Sequence, residues 1–175
     1  TLSMPSLASK LGTTPFAHGP KVEAGTAISV GEAVASELRR YPGLELLTYQ
    51  DLQVLLSEQQ RRQLIGCNGD NCYIELSSKM GLRYLLAGRI SKPDTSMLFH
   101  LEILDTKAVK VIAAQDRRIT DGTVERVLDA IPTIVGSLME TAYPIVHQKP
   151  KPKLRGFTLP SATADVALKS APQTK

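Results

Sequence analysis

The sequence has no Trp, and Phe and Tyr together leave aromatics at 5% of its 175 residues. A large aromatic stacking surface for nucleic acid is therefore excluded, and the core has to be aliphatic. Three His and two Cys are too few and too scattered for a usual zinc site. No stretch approaches eighteen consecutive apolar residues, so no segment reads as a membrane-spanning helix. Phosphate-binding Gly-rich loops, a Gly-x-Ser-x-Gly elbow and a Cys-x-x-Cys pair are all missing. These absences remove the common enzyme classes, and no cofactor is implied.

What is present is 42% apolar residues, enough for the core of one α/β domain. The net charge of +4 is unevenly spread. From residue 148 onward, Lys149, Lys151, Lys153, Arg155, Lys169 and Lys175 face one acid, Asp165, a net of +5. The first 147 residues then carry 15 bases and 16 acids, a net of −1. The basic character belongs to the C-terminal stretch and not to the body. Residues 148–175 alternate Lys with Pro and lack the apolar density that offsets ordering entropy. They read as an extended tail, with Lys149–Lys153 in polyproline II, reaching on the order of 85 Å at roughly 3.1 Å per residue. Phe157, Leu159, Val166 and Leu168 form small apolar islands in it. The tail reads either as a solubilising linker or as a docking arm. In the second case Lys149, Lys151, Lys153, Arg155 and the four apolar residues are the candidate partner-binding set.

The body, residues 1–147, divides by periodicity. Thr1–Leu7 reads as a first strand limited by Pro5, and Lys10–Gly25, rich in Gly and Pro, as a long loop. Ser29 and Glu32 have capping-box spacing before an apolar stripe of Val30, Ala33, Val34, Leu38 and Tyr41, ended by Pro42-Gly43. Leu44–Leu47 is a short strand. Thr48 and Asp51 cap a second helix, with Leu52, Leu55 and Leu56, expected to run to about Ile65. A third helix carries Ile74, Leu76 and Met80 and stops at Gly81. The period then changes from 3.6 to 2 over Tyr84–Ser91, Met97–Asp105 and Val109–Ile119, an antiparallel meander covered on one face. A last helix, capped by Thr120 or Asp121, carries its stripe from Val124 to Ala142, with a kink or break expected at Pro132. The order is β-α-β-α-α-β-β-β-α: an α/β, or α+β, fold with a mixed sheet and helices packed on its faces.

Cys67 and Cys72 lie at one turn between two helices. The count of two at one turn favours a bridge in an oxidising compartment, and a pair of reduced thiols under the turn is the other reading. Asn68, Asp70 and Asn71 lack the spacing of a calcium loop, and Asp70 and Asn71 read better as caps of the third helix. His18, His100 and His147 have no nucleophile near them in sequence. Glu102 and Asp105 read as an ordinary strand end. Gln59–Gln63 is either the solvated face of a helix or a binding ridge.

Three runs carry a resemblance. Tyr41–Leu52 resembles the second strand and following helix of TolB N-terminal-like domains. Met80–Ile90 is similar to their helix, Gly and strand ending in Gly. Leu98–Asp105 with Lys110–Gln115 resembles their Leu-rich hairpin. The resemblance spans roughly residues 22–142 and takes in the wider group of CsgG-like and LpoB-like domains. It implies a non-catalytic periplasmic or outer-membrane-associated module that binds other envelope proteins, as a ring or multi-subunit complex, with no small-molecule substrate. The hairpins are too short for the pore-forming strands of the CsgG type. A nucleic-acid-associated protein using the basic tail, and an α/β enzyme with an unrecognised site, are the alternatives.

Overall fold

The computed structural model describes residues 9–67 and 70–147. Eleven elements follow in the order β1 (Ser9–Thr13), β2 (Ala17–His18), α1 (Ala24–Leu38), β3 (Leu44–Leu47), α2 (Tyr49–Leu55), α3 (Glu58–Ile65), α4 (Asp70–Lys79), β4 (Tyr84–Ser91), β5 (Met97–Asp105), β6 (Lys110–Ile119) and α5 (Val124–Val146). The six strands form one mixed sheet in the order β3-β1-β4-β5-β6, with β2 also on β4. β1 runs parallel to both β3 and β4, while β4, β5 and β6 are the expected antiparallel meander. The fold class is the mixed α/β arrangement read from the sequence.

Two apolar cores hold the layers together. Alternate residues of the meander, among them Leu86, Ile90, Phe99, Leu101 and Ile103, meet the stripes of α1 and α5 on one face. A smaller cluster of Leu52, Leu56, Leu64, Leu76 and Leu82 joins α2, α3 and α4 on the other. The α2–α4 layer does not extend over the whole sheet. Leu98 stays exposed on β5, and His100 and Glu102 are half-buried on the same parity.

Several sequence expectations are corrected. Thr1–Leu7 lies outside the described residues, and the segment read as a long loop contains β2 and all of β1 but Ser9. Ala17 and His18 pair with Arg89 and Ile90 of β4, further along the strand whose Tyr84–Leu86 pairs with β1. β1 and β2 are thus one line interrupted at Pro15, which has no N–H to give the ladder. Helix α1 starts at Ala24, not after Ser29. Ala27 extends the stripe of Val30, Val34 and Leu38 backwards, and its burial outweighs the Ser29–Glu32 spacing. The second helix is two. Leu56 turns extended to enter the smaller core, and Ser57 begins α3 with a capping box to Gln60. Val109 belongs to the β5–β6 turn, with a φ of 50°. The last helix is capped by Thr123. It runs without a break through Pro132 and Pro144, whose rings are on its exposed side. There, each bond lost to proline leaves a carbonyl free to meet water. Gly81, at a φ of 71°, does close α4.

Gly88 allows the tightest approach in the larger core. A Cβ there would come within 2.5 Å of the Phe16 ring, which also rests on Gly31 of α1 and tilts against Phe99. Gly88→Ala is expected to destabilise the chain by about 1–3 kcal/mol, the usual result of overpacking. A urea titration should show the midpoint fall with an unchanged slope.

Candidate functional site

The Phe16 wedge forms part of a cleft. Its volume is about 660 Å³, and it lies between α1 and the start of α2, beyond the C-terminal ends of β1 and β3. One wall is a single face of α1: Ala24, Ala27, Ile28, Gly31, Glu32, Ala35 and, at the lower end, Arg39. The helical spacing of small residues keeps that wall low. Thr13, Thr14, Pro15 and Phe16 make the floor, and Thr48–Asp51 with Gln53 make the opposite wall.

Most polar groups close to the floor are already engaged. The Thr13 hydroxyl accepts from the Tyr49 N–H at 3.1 Å. The Thr14 hydroxyl donates to the Leu86 carbonyl. Asp51 accepts from the Thr48 hydroxyl at 2.7 Å and from its N–H at 2.9 Å, the reciprocal cap of α2. Those bonds, led by the hydroxyl and helped by Arg39, hold the Asp51 carboxyl below the usual range. Glu32 makes no ion pair among the described residues. The free polar chemistry is therefore at the rim, and no nucleophile–base pair converges on the floor. Such a cleft is suited to holding a side chain or a chain segment.

Large apolar side chains are exposed on α1, α2 and α3, of which Ile28 alone lines the cleft. Ile28 on the α1 wall is 57% exposed, Val54 and Leu55 on α2 are 80% and 69%, and Ile65 on α3 is 66%. The sequence reading runs Leu55 with Leu52 and Leu56 along one unbroken second helix. The chain breaks at Leu56 instead, and Leu55 faces solvent, which an unbroken helix did not show.

Cys67 and Cys72 are joined as a disulfide, with Cα atoms 5.5 Å apart. Cys67 is buried at the end of α3 and Cys72 sits in the first turn of α4. The bridge therefore clips two helices of the smaller core, and Tyr73 adds a bond to the Cys67 carbonyl. Asn68 lies outside the described residues, as do Lys149, Lys151, Lys153, Arg155, Phe157, Leu159, Val166 and Leu168. No group of three metal-binding side chains occurs among the described residues.

The open sheet face carries a polar row. His100 Nδ1 is 2.7 Å from Asp116 Oδ1, and its Nε2 is 3.4 Å from Glu102 Oε2. Partial burial opposes the charged imidazole, but the bonds to Asp116 and then Glu102 outweigh it, so its pKa is raised. Asp105 is buried at the β5–β6 turn. Burial alone would raise its pKa; the N–H groups of Ala108 and Lys107 and the Arg83 guanidinium lower it instead. That is a turn-forming role, as the strand-end reading expected.

No family model matches the sequence, and no curated protein matches it. Solved structures of similar fold include PelC from Paraburkholderia phytofirmans, crystallised as a dodecamer. It shares 11% identity over 77% of this chain and 88% of that one, with a TM-score of 0.49. The LpoB C-terminal domain from Salmonella enterica shares 15% over 65% and 83%, at 0.48. TolB from Acinetobacter baumannii shares 13% over 78% of this chain and 29% of its own, at 0.49. These are loose likenesses of overall fold, and no residue role carries across.

Two predictions follow from the site. Replacing both cysteines, Cys67→Ser with Cys72→Ser, is expected to cost about 2 kcal/mol, the loop-entropy value for so short a ring; chemical denaturation of the oxidised parent and the double variant measures it. His100 should give a pH signature. Its folded pKa lies above the unfolded value, so its contribution is complete below the ordinary 6.5 and is lost as pH rises through the raised value. The melting temperature of the parent relative to His100→Gln should fall across that window. The difference should shrink in high salt, because Asp116 is exposed.

Proposed function

We propose that this chain is a non-catalytic structural or adaptor subunit of a bacterial cell-envelope assembly, of the secretion, pilus, motility or flagellar type. It binds partner proteins through its folded body and its Pro-rich tail. The observation that carries the reading is the exposed apolar surface of α1, α2 and α3. Ile28, Val54, Leu55 and Ile65 expose large aliphatic surface on three helices of one small body, and such surface marks protein contact more than small-molecule chemistry. The floor of the cleft has its hydroxyls committed to the backbone, which also favours a protein or peptide partner over a substrate.

The disulfide supports a periplasmic or outer-membrane-associated location, since such bridges persist in oxidising compartments. No helix among the described residues is long and apolar enough to cross a membrane. The proposed association with the envelope runs through partner proteins. The net of +5 carried by residues 148–175 gives the tail electrostatic reach toward acidic protein surfaces. Assembly as a ring or other multi-subunit complex belongs to the same proposal.

Affinity capture from gently solubilised envelopes tests the reading. The full chain should bring down a defined set of envelope proteins. Val54→Glu with Leu55→Glu should reduce that capture at least tenfold, in line with the loss of central apolar anchors. Both side chains are solvent-exposed, so the melting temperature should be unchanged. Equal capture by parent and variant would remove this helical surface from the interface, and co-purifying nucleic acid in place of protein would overturn the adaptor reading.

A further inference from the structure

The exit point of the tail is fixed. α5 ends at His147, whose ring stacks on Tyr143 with centroids 5.0 Å apart and lies directly over Gly43. The Tyr143 hydroxyl donates to the Pro42 carbonyl at 2.7 Å. The chain therefore leaves the body at the turn between α1 and β3, four residues beyond Arg39, which closes the lower end of the cleft.

We propose that the segment Leu154–Pro160 of the same chain occupies this cleft, running antiparallel to α1 from Arg39 toward His18. The reach suffices. From His147 to Phe157, at roughly 3.1 Å per residue, an extended chain covers about 31 Å, and the fifteen residues of α1 span about 22 Å. Pro150 and Pro152 favour that extended path over the first stretch.

The spacing matches as well. Arg155 and Phe157 are two residues apart, about 6 Å in an extended chain, and Glu32 and Ile28 are one helical turn apart, also about 6 Å. A register that sets Arg155 opposite Glu32, which makes no ion pair among the described residues, uses that match. Phe157 then comes opposite the pocket of Phe16, Ile28 and Gly31, where the α1 wall is lowest. The charge sense agrees, a net of +5 for the tail against −1 for residues 1–147.

This rests on the tail being a docking arm and adds where its first apolar island is held. Phe157 and Leu159 then face the body, and Val166 and Leu168 remain for a partner. It departs from a tail that is a free tether along its whole length.

The test uses the full chain with its disulfide intact. A nitroxide is placed on Ser161→Cys, and amide signals are compared before and after reduction of the label. The cleft amides of Ile28, Glu32 and Gln53 should lose most of their intensity. Phe157→Asp with Leu159→Asp should restore them. Broadening confined to residues next to His147, or cleft broadening that survives the double substitution, overturns the proposal. In a mixture of spin-labelled chain and isotope-labelled unmodified chain, broadening of the cleft amides would mean that a second copy fills the cleft, which overturns the assignment to the same chain. Loss of partner capture with the cleft pattern retained would sink the adaptor reading alone.

Discussion

The arrangement of this body depends on one close contact, the Phe16 ring against the bare backbone of Gly88. Pro15 breaks the ladder between β1 and β2, and the residue after it turns its ring into the core. Any side chain at position 88 would meet that ring. With glycine there, Phe16 reaches Phe99 on one side and Gly31 of α1 on the other. The same ring thereby joins three things: the interrupted strand, the helix that covers it, and the floor of the cleft. Core and site therefore share the Phe16 side chain, and the base of the cleft is packed as part of the core.

The contrast between the two cores explains the local devices seen elsewhere. The larger core has two long helices and the alternate residues of three strands, and it needs few special bonds. α5 tolerates two prolines because its stripe of Val127, Ile131, Ile134, Val135, Leu138 and Met139 is buried along its length. The smaller core has five buried leucines for three short helices. Helices of seven to ten residues are marginal alone. This layer is where both reciprocal capping boxes and the disulfide occur. Local hydrogen bonds and a covalent clip offset what burial does not supply there.

The meander was legible because period-2 alternation over eight to ten residues has no competing reading. Met97–Asp105 begins and ends where the pattern says. The cap of α2 at Thr48 and the stop at Gly81 were also legible, since each rests on a single residue's chemistry. The N-terminal region was not. Ser9–Thr13 is only five residues, and at its Gly12 the ends of the Leu82 and Leu85 side chains pack close to where a Cβ would be. A glycine needed for packing looks in sequence like a glycine needed for a turn. The Ser29–Glu32 pair misled for a related reason: cap spacing also occurs inside helices, and burial of Ala27 decided the start. The cleft itself was illegible, because it is lined by residues of β1, the β1–β2 link, α1 and the start of α2, whose closeness depends on parallel pairing. The Ser57–Gln60 box, by contrast, was readable and would have shown the break that exposes Leu55.

The exposed aliphatic residues are best understood against that division of labour. A helix held mainly by burial has to turn its large apolar side chains inward. α2 and α3 are held partly by caps at their starts and, for α3, by a bridge at its end. They can keep Leu52, Leu56 and Leu64 inside and still present Val54, Leu55 and Ile65 to solvent. The Arg61 guanidinium bonds the Gln53 carbonyl and fixes the angle between the two helices without adding buried apolar area. A surface of this kind is already ordered before anything binds to it, so a partner would meet its apolar anchors without first having to order the helices that carry them.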